Sequence, residues 1–417
     1  MNTNRRRALR LAALLSLVFL CANSGAYSVL SHEELIDLAW NDSIRPALLA
    51  RFPKATEHQL VVAHSYAYGG CAIQDMGYYP SGKRFFSDLT HYVRTGDFVQ
   101  WMLQNAHTID EYAFAMGALS HYLGDSIGHS EAINPATAFE FPKLEAKYGG
   151  SVTYGQSPHG HIQTEFAFDV GELAGLEFAP PAYLRAVGFR VPRKFLERAF
   201  LDTYGFDIHW ILGPAHPNLR SYRTAVRSFI PDFAEAEVVL HRHHFPPRPD
   251  NEAYHIFSER VSRTNYERRW KHTYKGPGFK AHLLAILVFV VPKVGAAADL
   301  AIKIPNPETQ EWYFGSMNHT VDDLNHTLYQ LRAGESDPIR LADVDLDTGK
   351  QERLGDYPLA DKTYAELLEQ ITRMHQPTIS TDLRRHIQDF YGDFPKTDDA
   401  TTARLILIKN MKTKDKR

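Results

Sequence analysis

The chain predicts an all-α protein. Apolar residues recur at the three-to-four spacing of helices through most of its length. Period-two alternation is confined to one short stretch. Histidine and carboxylate residues recur four apart, where a helix brings them to one face. At 417 residues, 44% hydrophobic and 23% charged, the chain can form two globular domains, or one with an appendage. A net charge of −3 makes no general case for nucleic acid, and none is expected as a partner.

The elements follow in order. Arg5, Arg6 and Arg7, extended by Arg10, precede an apolar run from Leu11 to Ala22 that is short for a spanning helix. Ser24-Gly25-Ala26 supplies small residues for cleavage. Residues 1–26 therefore read as an export signal, with the mature chain starting near Tyr27 in the periplasm or outside the cell. Once Cys21 is removed, Cys71 has no partner for a disulfide, and its uncharged surroundings read as a buried bystander.

Helices are predicted over 32–50, 161–176, 192–204 and 223–242, and over 97–124 as one or two helices, with Asp110 capping the second. The run Phe245-Pro-Pro-Arg-Pro-Asp250 punctuates the chain. It divides a domain over 27–245 from a mainly helical C-terminal region over 246–417, whose role the sequence does not give. In that region Leu283 to Val291 is an apolar run too short to cross a bilayer, open to two readings: a buried helix or a membrane-interfacial patch. The nearest β candidate is 338–354, where Ile339, Leu341, Val344 and Leu346 partly alternate.

The chemistry concentrates in the run His121-Tyr-Leu-Gly-Asp125-Ser-Ile-Gly-His129, with His161 and Glu165 behind it. Residues four apart advance slightly more than one helical turn, so each grouping shares a face. Imidazole and carboxylate together are a zinc donor set. His32, Asp75 and His91 complete eight candidate ligands. A lone histidine is more often a core or surface residue, but two such groupings favour metal.

Ser120-His121-Tyr-Leu-Gly-Asp125-Ser-Ile-Gly-His129-Ser130 resembles the core motif of the zinc-dependent phospholipase C family, which is related to the S1/P1 nucleases. The four-residue step from Asp125 to His129 looks more like the glycosylphosphatidylinositol phospholipase D branch. Ser31-His32-Glu-Glu-Leu-Ile-Asp-Leu-Ala39 is similar to the family's first helix. Gly69-Gly70-Cys-Ala-Ile-Gln-Asp75 resembles the loop with the metal-site aspartate. Phe86-Ser-Asp-Leu-Thr-His91-Tyr92 resembles the next ligand segment, and His161-Ile-Gln-Thr-Glu165 the final pair. The likeness covers roughly 28–240.

The resemblance implies a multi-helical phospholipase C/P1 nuclease-like domain and a secreted, zinc-dependent hydrolase of phospholipids. One zinc position would take Asp75, His91, His121 and Asp125, a second His129, His161 and Glu165, and a third His32 with Asp125 as a bridge. In the bacterial phospholipases the mature N-terminal Trp completes the third position. Here no Trp lies between the expected mature N-terminus and His32, so two or three Zn²⁺ ions are expected. By the same analogy Asp75 orients the attacking water or takes its proton. Phospholipase C cleavage leads, and phospholipase D-type cleavage and an S1/P1-like nuclease stay open. A different class also stays open: a non-catalytic, metal-stabilised module binding membranes or partners. Tyr66, Tyr68, Tyr78, Tyr79, Phe85 and Phe86 flank the ligand segments, either as core packing or as faces for a choline ammonium. Phospholipid and peripheral membrane contact are the implied partners, and the sequence points to no protein partner.

Overall fold

The computed structural model describes residues 28–79, 82–213, 217–290, 302–333, 340–374, 378–392 and 398–414. The leader 1–26 with Cys21, the start near Tyr27, and Val291 and Ile339 lie outside them. The described architecture is all-α, as predicted, with two small two-stranded elements. Helix α1 (Val29–Ala39) opens the fold and α2 (Glu57–Gly70) follows. Next come α3 (Arg84–Tyr92), α4 (Thr95–Asn105) and α5 (Ile109–Gly128). Further on are α6 (Pro158–Gly175) and α7 (Ile230–His241). The C-terminal region adds α8 (Phe279–Val290), α9 (Pro307–Ala333) and α10 (Pro358–Arg373). The hairpin β1 (Val344–Asp345) and β2 (Lys350–Gln351) lies between α9 and α10.

Local chemistry sets the helix starts. Thr56 and Gln59 form a capping box at α2, and Thr108 and Glu111 form one at α5. Asp110 therefore does not cap α5. Thr108 holds the extended geometry a cap needs, and its hydroxyl accepts the Glu111 N–H, while Asp110 already lies inside the first turn.

Helix α5 is the axis of the fold. Every residue from Tyr112 to Asp125 is buried, so it is enclosed on all sides, as an element in the middle of a large core must be. Helix α2 packs on one flank and α9, from the C-terminal region, on another. The α2–α5 crossing is close because it is built on glycine. A Cβ on Gly117 would meet the Ala67 carbonyl oxygen at 2.1 Å, and one on Gly70 would meet the Phe114 carbonyl oxygen at 2.1 Å. A single hydrophobic cluster runs from Val29 and Leu35 through Phe114 to Tyr364 and Ile408. The region beyond 245 thus shares its core with the region before it.

The 338–354 stretch is the β1–β2 hairpin in its described part. Its turn presses on the motif segment: a Cβ on Gly349, at φ 67°, would lie 2.6 Å from the Ser126 carbonyl oxygen. Most of the flanking aromatics are packing residues, with Tyr68, Tyr78, Tyr79 and Phe86 all buried. Cys71 is fully buried, and burial pushes its thiol up. Among the described residues no helix is long and apolar enough to cross a membrane.

Candidate metal centre

The eight candidate ligands are brought together into adjoining groups. Each of the sets His32–His121–Asp125, Asp75–His91–His121 and His129–His161–Glu165 offers ligand atoms within 4.8 Å of one another, and every member is buried. The first two sets share His121.

Their placement follows from local bonds. Asp75 sits in a short 3₁₀ turn (Gln74–Gly77) fastened to α3, because the Gln74 carbonyl accepts from Ser87 Oγ at 2.5 Å and Thr90 Oγ1 at 3.1 Å. That fixes the turn against the helix carrying His91. At the start of α1, the Asp169 carboxylate accepts from the backbone N–H of Leu30 and Ser31, each at 3.1 Å, and from Ser31 Oγ at 2.6 Å. This anchors the turn that presents His32.

The ring nitrogens are assigned by their other partners. His91 Nδ1 donates to the Ser87 carbonyl at 2.8 Å, and His121 Nδ1 donates to the Cys71 carbonyl at 3.0 Å. Both Nε2 atoms therefore turn inward, 3.4 Å apart. Asp125 stands among them. Its Oδ2 is 3.3 Å from His91 Nε2 and 3.1 Å from His121 Nε2, and its Oδ1 is 3.2 Å from His32 Nε2. Asp75 Oδ1 lies 3.3 Å from His91 Nε2. Imidazole acceptors and two carboxylates thus converge on one buried point. A ring that gives its outer N–H to a carbonyl and aims the other nitrogen inward has the geometry of a metal ligand.

The second group gathers at the C-terminal end of α5. Helix α5 ends at Gly128 and continues as a π-helical turn, His129–Ile133. The wider turn shifts the residues after it, Asn134 among them, by about one position. His129 itself keeps α-helical register, its N–H bonding the Asp125 carbonyl, and eight residues at about 100° each turn it about 80° away from His121, toward α6. There His161 Nε2 donates to Asn134 Oδ1 at 2.9 Å, while the Asn134 amide donates to the Asp347 carbonyl at 2.7 Å, which fixes its orientation. His161 Nδ1 is left facing Glu165 Oε1 at 2.6 Å.

These side chains fit a divalent cation. Asp75 Oδ1, both Asp125 oxygens, both His129 nitrogens, His161 Nδ1 and Glu165 Oε1 are buried without a hydrogen-bond partner among the described residues. Such groups cost free energy unless something compensates them. Burial holds His129 down to about 4 and His161 well below the usual imidazole range, so both rings are neutral and offer lone pairs. Burial, then the Asp125 charge, pushes Glu165 well up. Burial works to lower His91, but its contacts with Asp125 and Asp75 prevail and raise it. Both shifts mark positions where added positive charge is favoured.

The structure adds residues that sequence reasoning missed. Asp347, in the turn between β1 and β2, is buried with Oδ1 3.7 Å from His129 Nδ1. Its Oδ2 accepts from Tyr92 at 2.9 Å and from Tyr357. Burial lifts it to about 7. Asn134 and Asp169 were missed as well. Asn134, close behind His129, could have been found from its place in the motif, whereas no local signal marks Asp347. His64, near the ligand segments in sequence, is buried against Asp37 at 3.1 Å and stacked on Trp40, so it does not face the metal groups.

A family model described as zinc dependent phospholipase C matches residues 31–210, a span holding all eight candidate ligands. No curated protein and no solved structure matches the chain. The match lies over the helices that carry both donor groups, so residues 31–210 are similar to the zinc-dependent phospholipase C family.

Proposed function

We propose that the chain is an exported zinc-dependent phosphodiesterase that hydrolyses phospholipids by phospholipase C-type cleavage. The observation that carries the reading is the convergence of buried donor atoms without hydrogen-bond partners inside the matched span. Asp75, His91, His121 and Asp125 would hold one zinc ion, and His129, His161 and Glu165 a second. His32 with Asp125 would hold a third where that position is filled. When bound, zinc supplies Lewis acidity toward the phosphate oxygens and lowers the pKa of water toward neutrality.

The chain's own residues do the rest. In C-type cleavage, water oxygen bonds to phosphorus, the bond from phosphorus to the glycerol oxygen breaks, and that oxygen takes a proton. The products are diacylglycerol and a phosphorylated headgroup. Asp75 is the candidate base, because its Oδ1 has no hydrogen-bond partner and points at the shared centre. His91 and His121 are held by the Ser87 and Cys71 carbonyls, so they need little rearrangement to serve. A second reading, D-type cleavage, is favoured by the four-residue step from Asp125 to His129.

Product analysis on zinc-loaded protein with phosphatidylcholine tests the proposal. Phosphocholine supports C-type cleavage, choline D-type cleavage, and nucleotides released from nucleic acid instead would indicate a nuclease. Asp75→Asn is expected to keep zinc and lose most turnover. No phospholipid hydrolysis at full zinc content would sink the reading.

A further inference from the structure

Helix α8 is apolar on both faces, and the fold uses only one of them. Ala281, Ala285 and Val288 are buried toward α7, where Val288 joins the cluster of Phe233, Phe166 and Phe229. The larger residues point the other way: Phe279 is 85% exposed, Leu283 58%, Ile286 63% and Phe289 76%. At about 100° per residue these four fall within an arc of about 120°. Single exposed apolar residues are ordinary, but a stripe of four large ones, with the exposed His282 among them and alanines turned inward, marks an interaction surface.

The stripe borders a cationic groove. A cavity of about 730 Å³ is lined by Arg185, Arg220, Arg223 and Arg227, by Lys280 of α8, and by Glu33 of α1, the neighbour of His32. Asp232 and Glu235 also line it, and Lys280 pairs with Asp232. On a chain of net charge −3, this gathering of arginines is local.

We propose that α8 and the arginine-lined groove form a docking surface for an anionic phospholipid bilayer. The stripe enters the headgroup–acyl boundary with the helix lying in the membrane plane, and the arginines meet lipid phosphates. A second copy of the chain fits less well, because a two-fold contact on this face would set arginines against arginines. The inference rests on the phospholipid reading for its biological setting and adds how the substrate surface is met. The groove joins α8 to the helix that carries His32.

Co-sedimentation on ice tests it, with the full zinc-loaded chain and vesicles of phosphatidylglycerol mixed with phosphatidylcholine. The wild type is expected to bind the mixed vesicles better than phosphatidylcholine alone, and to release as salt is raised. Phe279→Ser with Phe289→Ser is expected to lower partitioning about tenfold or more, with an unchanged melting temperature. Equal partitioning of wild type and double variant would overturn the proposal. So would the absence of vesicle binding together with a self-association that the double variant abolishes. Product is assayed in the same tubes. Vesicle binding without product supports the docking surface and counts against the hydrolase reading. Product without wild-type binding overturns the docking surface and leaves the hydrolase reading standing.

Discussion

Asp347 Oδ1 faces His129 Nδ1 at 3.7 Å, which places a carboxylate of the C-terminal region behind a candidate ligand of the N-terminal one. The other Asp347 oxygen is engaged by the Tyr92 and Tyr357 hydroxyls, and the His129 Nε2 edge faces Glu165 Oε1 at 4.0 Å. A ligating histidine is commonly oriented through its second nitrogen by a carboxylate. Asp347→Asn should therefore weaken zinc binding at the His129–His161–Glu165 group by about 10- to 100-fold and leave the Asp75–His91–His121 group unaffected. Competition with a chromophoric chelator measures this, and equal affinities in the two proteins would remove Asp347 from the site.

Asp125 is the other joint of the centre, because its two oxygens face different partners. Oδ1 turns to His32, and Oδ2 to His91 and His121. Asp125→Asn removes the charge those rings share, and should strip zinc from their group while His129, His161 and Glu165 keep theirs. Glu165→Gln should do the converse. Elemental analysis of the two variants after desalting distinguishes them, and an identical loss of all zinc in both would show the groups to be one inseparable cluster.

The ligands were legible because helical spacing is a local property. His121 with Asp125, and His161 with Glu165, each lie one turn apart on a single helix, and the structure keeps both pairs in contact. What the spacing could not show was the π-helical turn that begins at His129 and sets Asn134, after it, against His161. Asp347 and Asp169 were invisible for a different reason. Each acts across a long span of chain, Asp347 on His129 and Asp169 on the start of α1, so no window of sequence contains both partners. The all-α class was readable from periodicity, whereas the shared core beyond residue 245 depends on α9 packing against α5, which periodicity does not encode. The apolar run at 283–291 was open to two readings, and α8 shows why. Its described residues bury alanine and valine on one face and expose leucine, isoleucine and phenylalanine on the other.

Zinc binding should be coupled to proton release. In the metal-free protein His91 is raised by Asp125 and Asp75 against the effect of burial, and Glu165 is raised by burial and then by Asp125. Where either group is protonated it must lose that proton to serve as a ligand, whereas His129 and His161, lowered chiefly by burial, are already neutral at pH 7. The sign follows: affinity falls as pH drops below the raised values, by about tenfold per unit for each proton released. Titration calorimetry in buffers of different ionisation enthalpy should show a net release of protons on zinc binding. A buffer-independent enthalpy would show that neither group holds one.

The α2–α5 crossing also bears on the placement of His121. Gly117 lies one turn before His121, and a methyl group there would sit 2.1 Å from the Ala67 carbonyl oxygen and 2.8 Å from the Cys71 backbone nitrogen. Neither obstacle is a flexible side chain that can swing aside, so the two helices must separate. On an exposed helix Gly→Ala stabilises by about 0.5–1 kcal/mol, but forced overpacking in a core costs about 1–3 kcal/mol. Gly117→Ala should therefore lower the melting temperature. The Cys71 carbonyl that orients His121 belongs to the residue being displaced, so zinc affinity should fall in the same variant. Gly171→Ala, on α6 with open space around the added carbon, is the control and should leave both quantities close to wild type. Equal melting temperatures for Gly117→Ala and the control would mean that the helices yield without cost, and that their close approach does not position His121.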